Sequence, residues 1–383
     1  MRRGATTPVE WTGLIAVAVI ATTGLAACGS TGASSGTDPG GVAGAGWADD
    51  CAGERDGPVA VVGMDASTGE QRWARTLGPM MNAVDAGGVL VVMSFEGEAL
   101  GIDPATGTAL WCRPGHGPVD TNKHPAGTTS TASGTTVVTL DPSNTLVAFD
   151  ARTGQDIWSS PAPESILSFP QIRGDRVLLV DNIVDATFAG QPPDETNPVT
   201  ATFDLATGTR VDGPSEVHMM ESQAGDVLVR QVLGPEPYQL TVIVSDPVTG
   251  ADRWRLTRHG VGAGAVGDLV VVVDQSTPDA TPAGGTVDEL IAYSKADGTQ
   301  LWSARMTSAS PFVMPGGSSV LWSAGSEAVA MDTATGVIRW RADHGSPGEG
   351  GDFSEPGRYS AFATSSDGQV IAGVIIAERP YRD

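Results

Sequence analysis

Asp332-Thr333-Ala334-Thr335-Gly336-Val337-Ile338-Arg339-Trp340 is the stretch whose reading decides the fold of this chain. It opens on Asp, turns at Thr-Gly and reaches Trp eight residues after the Asp. The same pattern starts at Asp65, Asp103, Asp150, Asp204, Asp246 and Ser294, at successive intervals of 38, 47, 54, 42, 48 and 38 residues. Its glycines include Gly69, Gly107, Gly154, Gly250, Gly298 and Gly336. Trp recurs at Trp73, Trp111, Trp158, Trp254, Trp302 and Trp340, and the fourth copy carries Asp212 there instead. The sixth copy replaces Thr-Gly with Asp297-Gly298. Self-similarity at such a period marks a repeat architecture, each unit one supersecondary element.

The residues before each motif are short and apolar, as in Val59–Val62, Thr145–Phe149 and Leu240–Val244. They predict strands. Further upstream lie other apolar runs, such as Val89–Met93, Arg176–Val180 and Leu269–Val273. Asp-x-x-Thr-Gly supplies turn chemistry: Asp accepts hydrogen bonds from backbone two residues on, and Gly takes positive φ. A last strand then carries the Trp. Four short strands in about 40–45 residues, with no helical period, are what a β-propeller blade needs.

The pattern Ala-x-Asp-x-x-Thr-Gly-x-x-x-Trp resembles the tryptophan-docking repeat of quinoprotein-type propellers, over about Val59 to the C-terminus. The opening Ala is kept at Ala148, Ala292 and Ala330 and replaced by Gly63, Gly101, Thr202 and Val244 elsewhere. The resemblance implies that each Trp wedges between neighbouring blades and packs on the next turn. It makes the Trp residues structural rather than a ligand platform. That family includes quinone-dependent alcohol dehydrogenases and a propeller lipoprotein of outer-membrane assembly, so the fold alone does not name the activity.

Two runs, Tyr359–Ala363 and Gln369–Ile376, follow the last motif with no further motif after them. Pairing them with the N-terminal strands in one shared blade closes a ring without a free sheet edge. The expectation is an all-β, seven-bladed β-propeller of four-stranded blades over residues 48–383. An eighth, irregular blade is the alternative.

The front of the chain reads as an address. Met1-Arg2-Arg3 precedes an apolar run from Leu14 to Ala21, too short and interrupted for a membrane span. Leu25-Ala26-Ala27-Cys28 then resembles a bacterial lipobox. Residues 1–27 are expected to be a lipoprotein signal peptide, with Cys28 carrying the lipid that anchors the protein to the membrane. An ordinary secretory signal is the alternative. Residues 28–47 are expected to be a flexible tether, since 29–46 are almost entirely Gly, Ala, Ser and Thr, with Pro39; those eighteen residues give a typical reach of roughly 25 Å.

The chain has 45 acidic and 22 basic residues, net −23. Loss of Arg2, Arg3 and Glu10 with the signal makes it one unit more negative. This argues against nucleic acid and against adsorption to anionic lipid. Richness in Ala, Gly, Asp and Arg with little Lys suits a GC-rich genome, as in actinobacteria. Cys51 and Cys112 remain after lipidation. An even pair in an exported protein points to a disulfide, with two free thiols as the alternative.

The long connections at 181–198 and 275–288 are expected on the face opposite the motif turns, around the channel mouth, where function concentrates. That face would collect Asp181, Asp185, Phe188, Asp194, Glu195, Glu236 and Asp279. Solvated loop charges explain the acidic residues, and no calcium-loop spacing occurs. His116, His259 and His344 follow their Trp by four or five residues and are read as loop histidines, not metal ligands. No nucleophile triad, phosphate loop or Cys-x-x-Cys appears. The reading is an extracytoplasmic, lipid-anchored, monomeric propeller, a non-catalytic scaffold for a protein or envelope ligand, without cofactor. A quinone-dependent dehydrogenase and a cell-wall or polysaccharide-binding module are the alternatives.

Overall fold

In the computed structural model, residues 59–377 are described except 78–79, 95–97, 114–128, 141–143, 164–167, 182–195, 219, 225, 234–238, 248, 276–287, 307–312, 317–318, 325–326 and 345–356. The described residues form β-strands and turns, with no helix. The strands pair antiparallel with their chain neighbours into six hydrogen-bonded sheets. The protein is an all-β propeller.

The ring closes as the sequence led us to expect. Val59–Asp65 pairs with Gln71–Leu77 on one side and with Val370–Ala377 on the other. Gly357–Thr364 completes that sheet, so both ends of the described chain share it.

One sheet has seven strands because Asp252–Val266 serves two sets of partners. Its first half pairs with Gln239–Ser245, up to His259 against Gln239. From Gly260 onward it pairs with Leu269–Gln275, with a register break between Gly260 and Gly262. A crossing expected to be a loop is thus a continuous strand. Gln275 and Asp288, expected as loop ends, are paired strand residues. Likewise Thr196–Pro198, expected in a loop, pairs with Glu216–His218.

Apolar faces of adjacent sheets meet in separate clusters. One joins Val59, Val61, Leu90, Val92, Ile102 and Val374. Another joins Val138, Leu146, Val177, Leu179 and Phe203. Strands such as Val59–Asp65, buried on six consecutive residues, are apolar on both faces because each face meets a neighbouring sheet.

Candidate functional site: the seams between motif turns

The seven motif turns share one build. The glycines Gly69, Gly107, Gly154, Gly208, Gly250, Gly298 and Gly336 all have φ between +67° and +75°. This is the left-handed region that a Cβ disfavours. In the last copy the Gly336 N–H bonds the Asp332 carbonyl at 2.9 Å, and Asp332 Oδ1 accepts from the N–H groups of Ala334 and Thr335, both at 3.0 Å. Arg339 first, then Thr335, hold the Asp332 carboxyl down at about 2. Asp65 is likewise lowered, by Ser67 and then Arg72. The sixth copy keeps the backbone bonds with Ser294, whose Oγ takes the Ala296 N–H at 3.3 Å.

Each Trp docks on the next motif. The Nε1–H groups of Trp73, Trp111, Trp158, Trp254 and Trp302 donate to the carbonyls of Pro104, Ala151, Leu205, Lys295 and Thr333, at 2.7–3.2 Å. Trp340 closes the circle by donating to Ala66 at 2.9 Å. Each indole lies over the glycine of that next turn. A Cβ built on Gly107 would fall 2.6 Å from Trp73, and one on Gly69 2.6 Å from Trp340. The small opening residue serves the same ring from within its own sheet: a Cβ on Gly63 would sit 2.1 Å from Trp73.

A β-bulge accompanies each of the six motif Trp residues. A register shift falls beside Trp73, Trp111, Trp158, Trp254, Trp302 and Trp340. The fourth copy, which has no Trp, has no shift there: Thr202 pairs with Val211 and Phe203 with Arg210. A bulge bends the strand and re-aims the side chain that follows it. It leaves the residue before the Trp outside, so Leu110, Ile157 and Leu301 are 46–51% exposed. Where that residue is Arg, it pairs with the motif Asp, as Arg72 does with Asp65 and Arg339 with Asp332.

Second latches reinforce several seams. Arg75 donates to the Gly107 carbonyl at 3.3 Å, Arg113 to Gly154 at 2.7 Å and Ser160 to Gly208 at 2.6 Å. Arg113 also stacks over Phe149, 4.6 Å from the ring centre. Asp226 ties Arg253 at 2.9 Å to Lys295 at 3.0 Å, and those two cations hold its carboxyl at about 2. Sequence reasoning missed these latches. The repeated Arg two residues after Trp73 and Trp111 was the available signal.

At the closing seam His344 Nε2 lies 3.2 Å from the Gly69 carbonyl, and burial lowers its pKa. A base with a depressed folded pKa is protonated more readily in the unfolded chain. Stability is therefore lost as pH falls below about 6.5, the unfolded value. We expect the unfolding free energy to drop between pH 7.5 and 5.5, and His344→Gln to flatten that drop. Equal pH dependence in urea titrations of both proteins would exclude this role.

The remaining sequence candidates fall as follows. Cys28, Cys51, His116, Asp185, Phe188, Asp194, Glu195, Glu236 and Asp279 lie outside the described residues. Asp181 ends a strand opposite Ser168, away from any described acidic cluster. His259 is exposed on the continuous strand rather than in a loop. Cys112 lies in the strand Ala109–Arg113 opposite Leu100, and its sulfur is in a disulfide. Among the described residues, no three His, Cys, Asp or Glu side chains gather as a metal site would need. Asp246, Gly250 and Trp254 form a proper turn and docking group, but among the described residues Gly250 receives no indole, whereas Gly208 in the Trp-less copy receives Trp158.

Turns, bulges and docked indoles together define a tryptophan-docked repeat propeller. The family model described as outer membrane protein assembly factor BamB, a PQQ-repeat family, matches residues 35–162, 96–232 and 239–373, and the chain belongs to that family. Curated proteins give no match. Among solved structures the chain is similar to BamB from Moraxella catarrhalis, at 14% identity and a TM-score of 0.38, covering 80% of this chain and 89% of that one. It is also similar to quinohemoprotein alcohol dehydrogenase from Comamonas testosteroni, at 11% identity and a TM-score of 0.42, covering 85% and 78%. The Pan2 WD40 domain of Neurospora crassa gives 12% identity and a TM-score of 0.45, covering 79% and 90%.

Proposed function

We propose that this protein is a lipid-anchored, extracytoplasmic scaffold that holds another protein at the cell envelope and does no catalysis. The observation that carries the reading is the circle of docked turns, filled at six of its seven seams, which spends the motif Trp residues and most motif carboxylates on rigidity. The family description, an assembly factor of the outer membrane, supports an envelope role. The Leu25-Ala26-Ala27-Cys28 site and the polar tether after it support anchoring. Cys112 is paired in this reading with Cys51, which would fasten the tether side of the ring.

The same reading counts seven blades. Seven motif turns follow one another, and Trp340 reaches back to the first. The seven-stranded sheet supplies two blades, divided at the register break by Gly260.

Fractionation of intact cells tests the anchor. Wild type is expected in the membrane and Cys28→Ala in the soluble export fraction. Retention of the variant on membranes after carbonate washing would exclude lipid on Cys28. Cross-linking in the same cells is expected to join the wild-type chain to an envelope protein, and absence of any adduct would remove the scaffold reading.

A further inference from the structure

The seam between the fourth and fifth motifs departs from the other six in three ways. Asp212 stands where Trp is expected. Among the described residues, a Cβ on Gly250 would meet nothing within 4 Å, whereas at the other six turn glycines it would fall 2.4–2.8 Å from an indole atom. The outer strand of the preceding sheet is interrupted between Arg210–Val211 and Glu216–His218, leaving residues 212–216 exposed.

The turn itself is fully built. Gly250 has φ +70°, its N–H bonds the Asp246 carbonyl at 2.9 Å, and Asp246 Oδ1 takes the Thr249 N–H at 2.8 Å. The turn is made to the pattern of the other six, and among the described residues no ring lies on it; on the facing side Thr202 packs against Gly213. The six filled seats also state what fits: an indole over the glycine, donating its N–H to the carbonyl of the second motif residue. Here that residue is Pro247, which has no N–H of its own.

We propose that this seam is a docking seat for a tryptophan side chain of a partner protein, presented on an extended segment with basic neighbours. The proposal rests on the scaffold reading and assigns it a surface. Trp is a residue on which binding energy concentrates when it enters a formed pocket. Asp212 stands at the Trp position of this seam, and both it and Glu216, four residues on, are exposed. The nearby Arg210 guanidinium turns back to the Thr200 carbonyl at 3.4 Å.

Trp47 of this chain fits less well. Its neighbours Asp49 and Asp50 would face those acidic residues. It precedes Val59 by twelve residues, which span at most about 40 Å when fully extended. Val59 starts its strand at the end away from the Asp65 turn, and the empty seat lies opposite the first motif in the circle of seams.

The test uses the full chain and a peptide copying Ile338–Asp343, Ile-Arg-Trp-Arg-Ala-Asp, with 5-fluorotryptophan as the fluorine NMR label. A saturable shift is expected with wild type. Gly250→Asn is expected to keep the fold, because Asn tolerates left-handed backbone and the space is open, and to weaken binding about tenfold or more. Asp212→Arg, at an exposed position, should also weaken it while the protein melts as wild type. No saturable shift with wild type, or equal binding by Gly250→Asn, overturns the proposal. Binding that emerges only in Trp47→Ala assigns the seat to the chain's own segment and overturns it too. So does self-association of wild type that Gly250→Asn abolishes, which assigns the seat to a second copy. Cellular cross-links that persist in Gly250→Asn overturn the seat and leave the scaffold reading standing.

Discussion

Trp340→Ala lowers the unfolding free energy by about 3–5 kcal/mol, the usual cost of truncating a buried aromatic. Trp340 is 7% exposed and packs with Ala60, Val62, Met64, Ala328, Phe362 and Ile375. Its removal uncovers Gly69 and leaves the Ala66 carbonyl without its indole donor. The seam it seals joins the last motif to the first, so the damage falls where the ring closes. Urea denaturation of the purified protein measures the loss. A change below about 0.5 kcal/mol, the range of ordinary surface substitutions, would mean that the shared closing sheet holds the ring without it.

A matched pair of glycine substitutions separates backbone strain from docking. Gly107 and Gly250 have φ of +73° and +70°. Alanine at either position bears the left-handed penalty, about 1–2 kcal/mol. At Gly107 the new Cβ also collides with Trp73, whose nearest atom is 2.6 Å away, and overpacking of this kind adds about 1–3 kcal/mol. Gly107→Ala should therefore lose about 2–5 kcal/mol in total and Gly250→Ala about 1–2 kcal/mol. Equal losses in the two urea titrations would show that the docked indole does not constrain the turn. A larger loss at Gly250 would show that its seat is filled in solution.

The turns and their tryptophans were legible because their causes are local. Asp at the first position, Gly at the fifth and Trp at the ninth act through bonds and contacts that recur with the same spacing. Closure was legible too, since two apolar runs after Trp340 had no motif of their own. What escaped was pairing. Nothing in Arg72, Leu110 or Arg339 as residue types announces a bulge, because a bulge is a relation between two strands. The continuous strand Asp252–Val266 was hidden for a similar reason: Gly260-Val261-Gly262-Ala263-Gly264 has the composition of a loop, yet its backbone pairs with the apolar run from Leu269. The candidate site was half legible. Asp212 was visible as the missing Trp, but its consequence appears at Gly250, one motif further on.

The strand Val59–Asp65 has a mechanical consequence. It is clasped on both edges, by seven register partners in Val370–Ala377 and six in Gln71–Leu77. A load applied to the chain ahead of Val59 runs along this strand, so it shears both ladders together instead of unzipping one bond at a time. Rupture would need many bonds to fail at once. Tension arriving from the N-terminal side would be borne by two ladders at once, in the sheet that closes the ring.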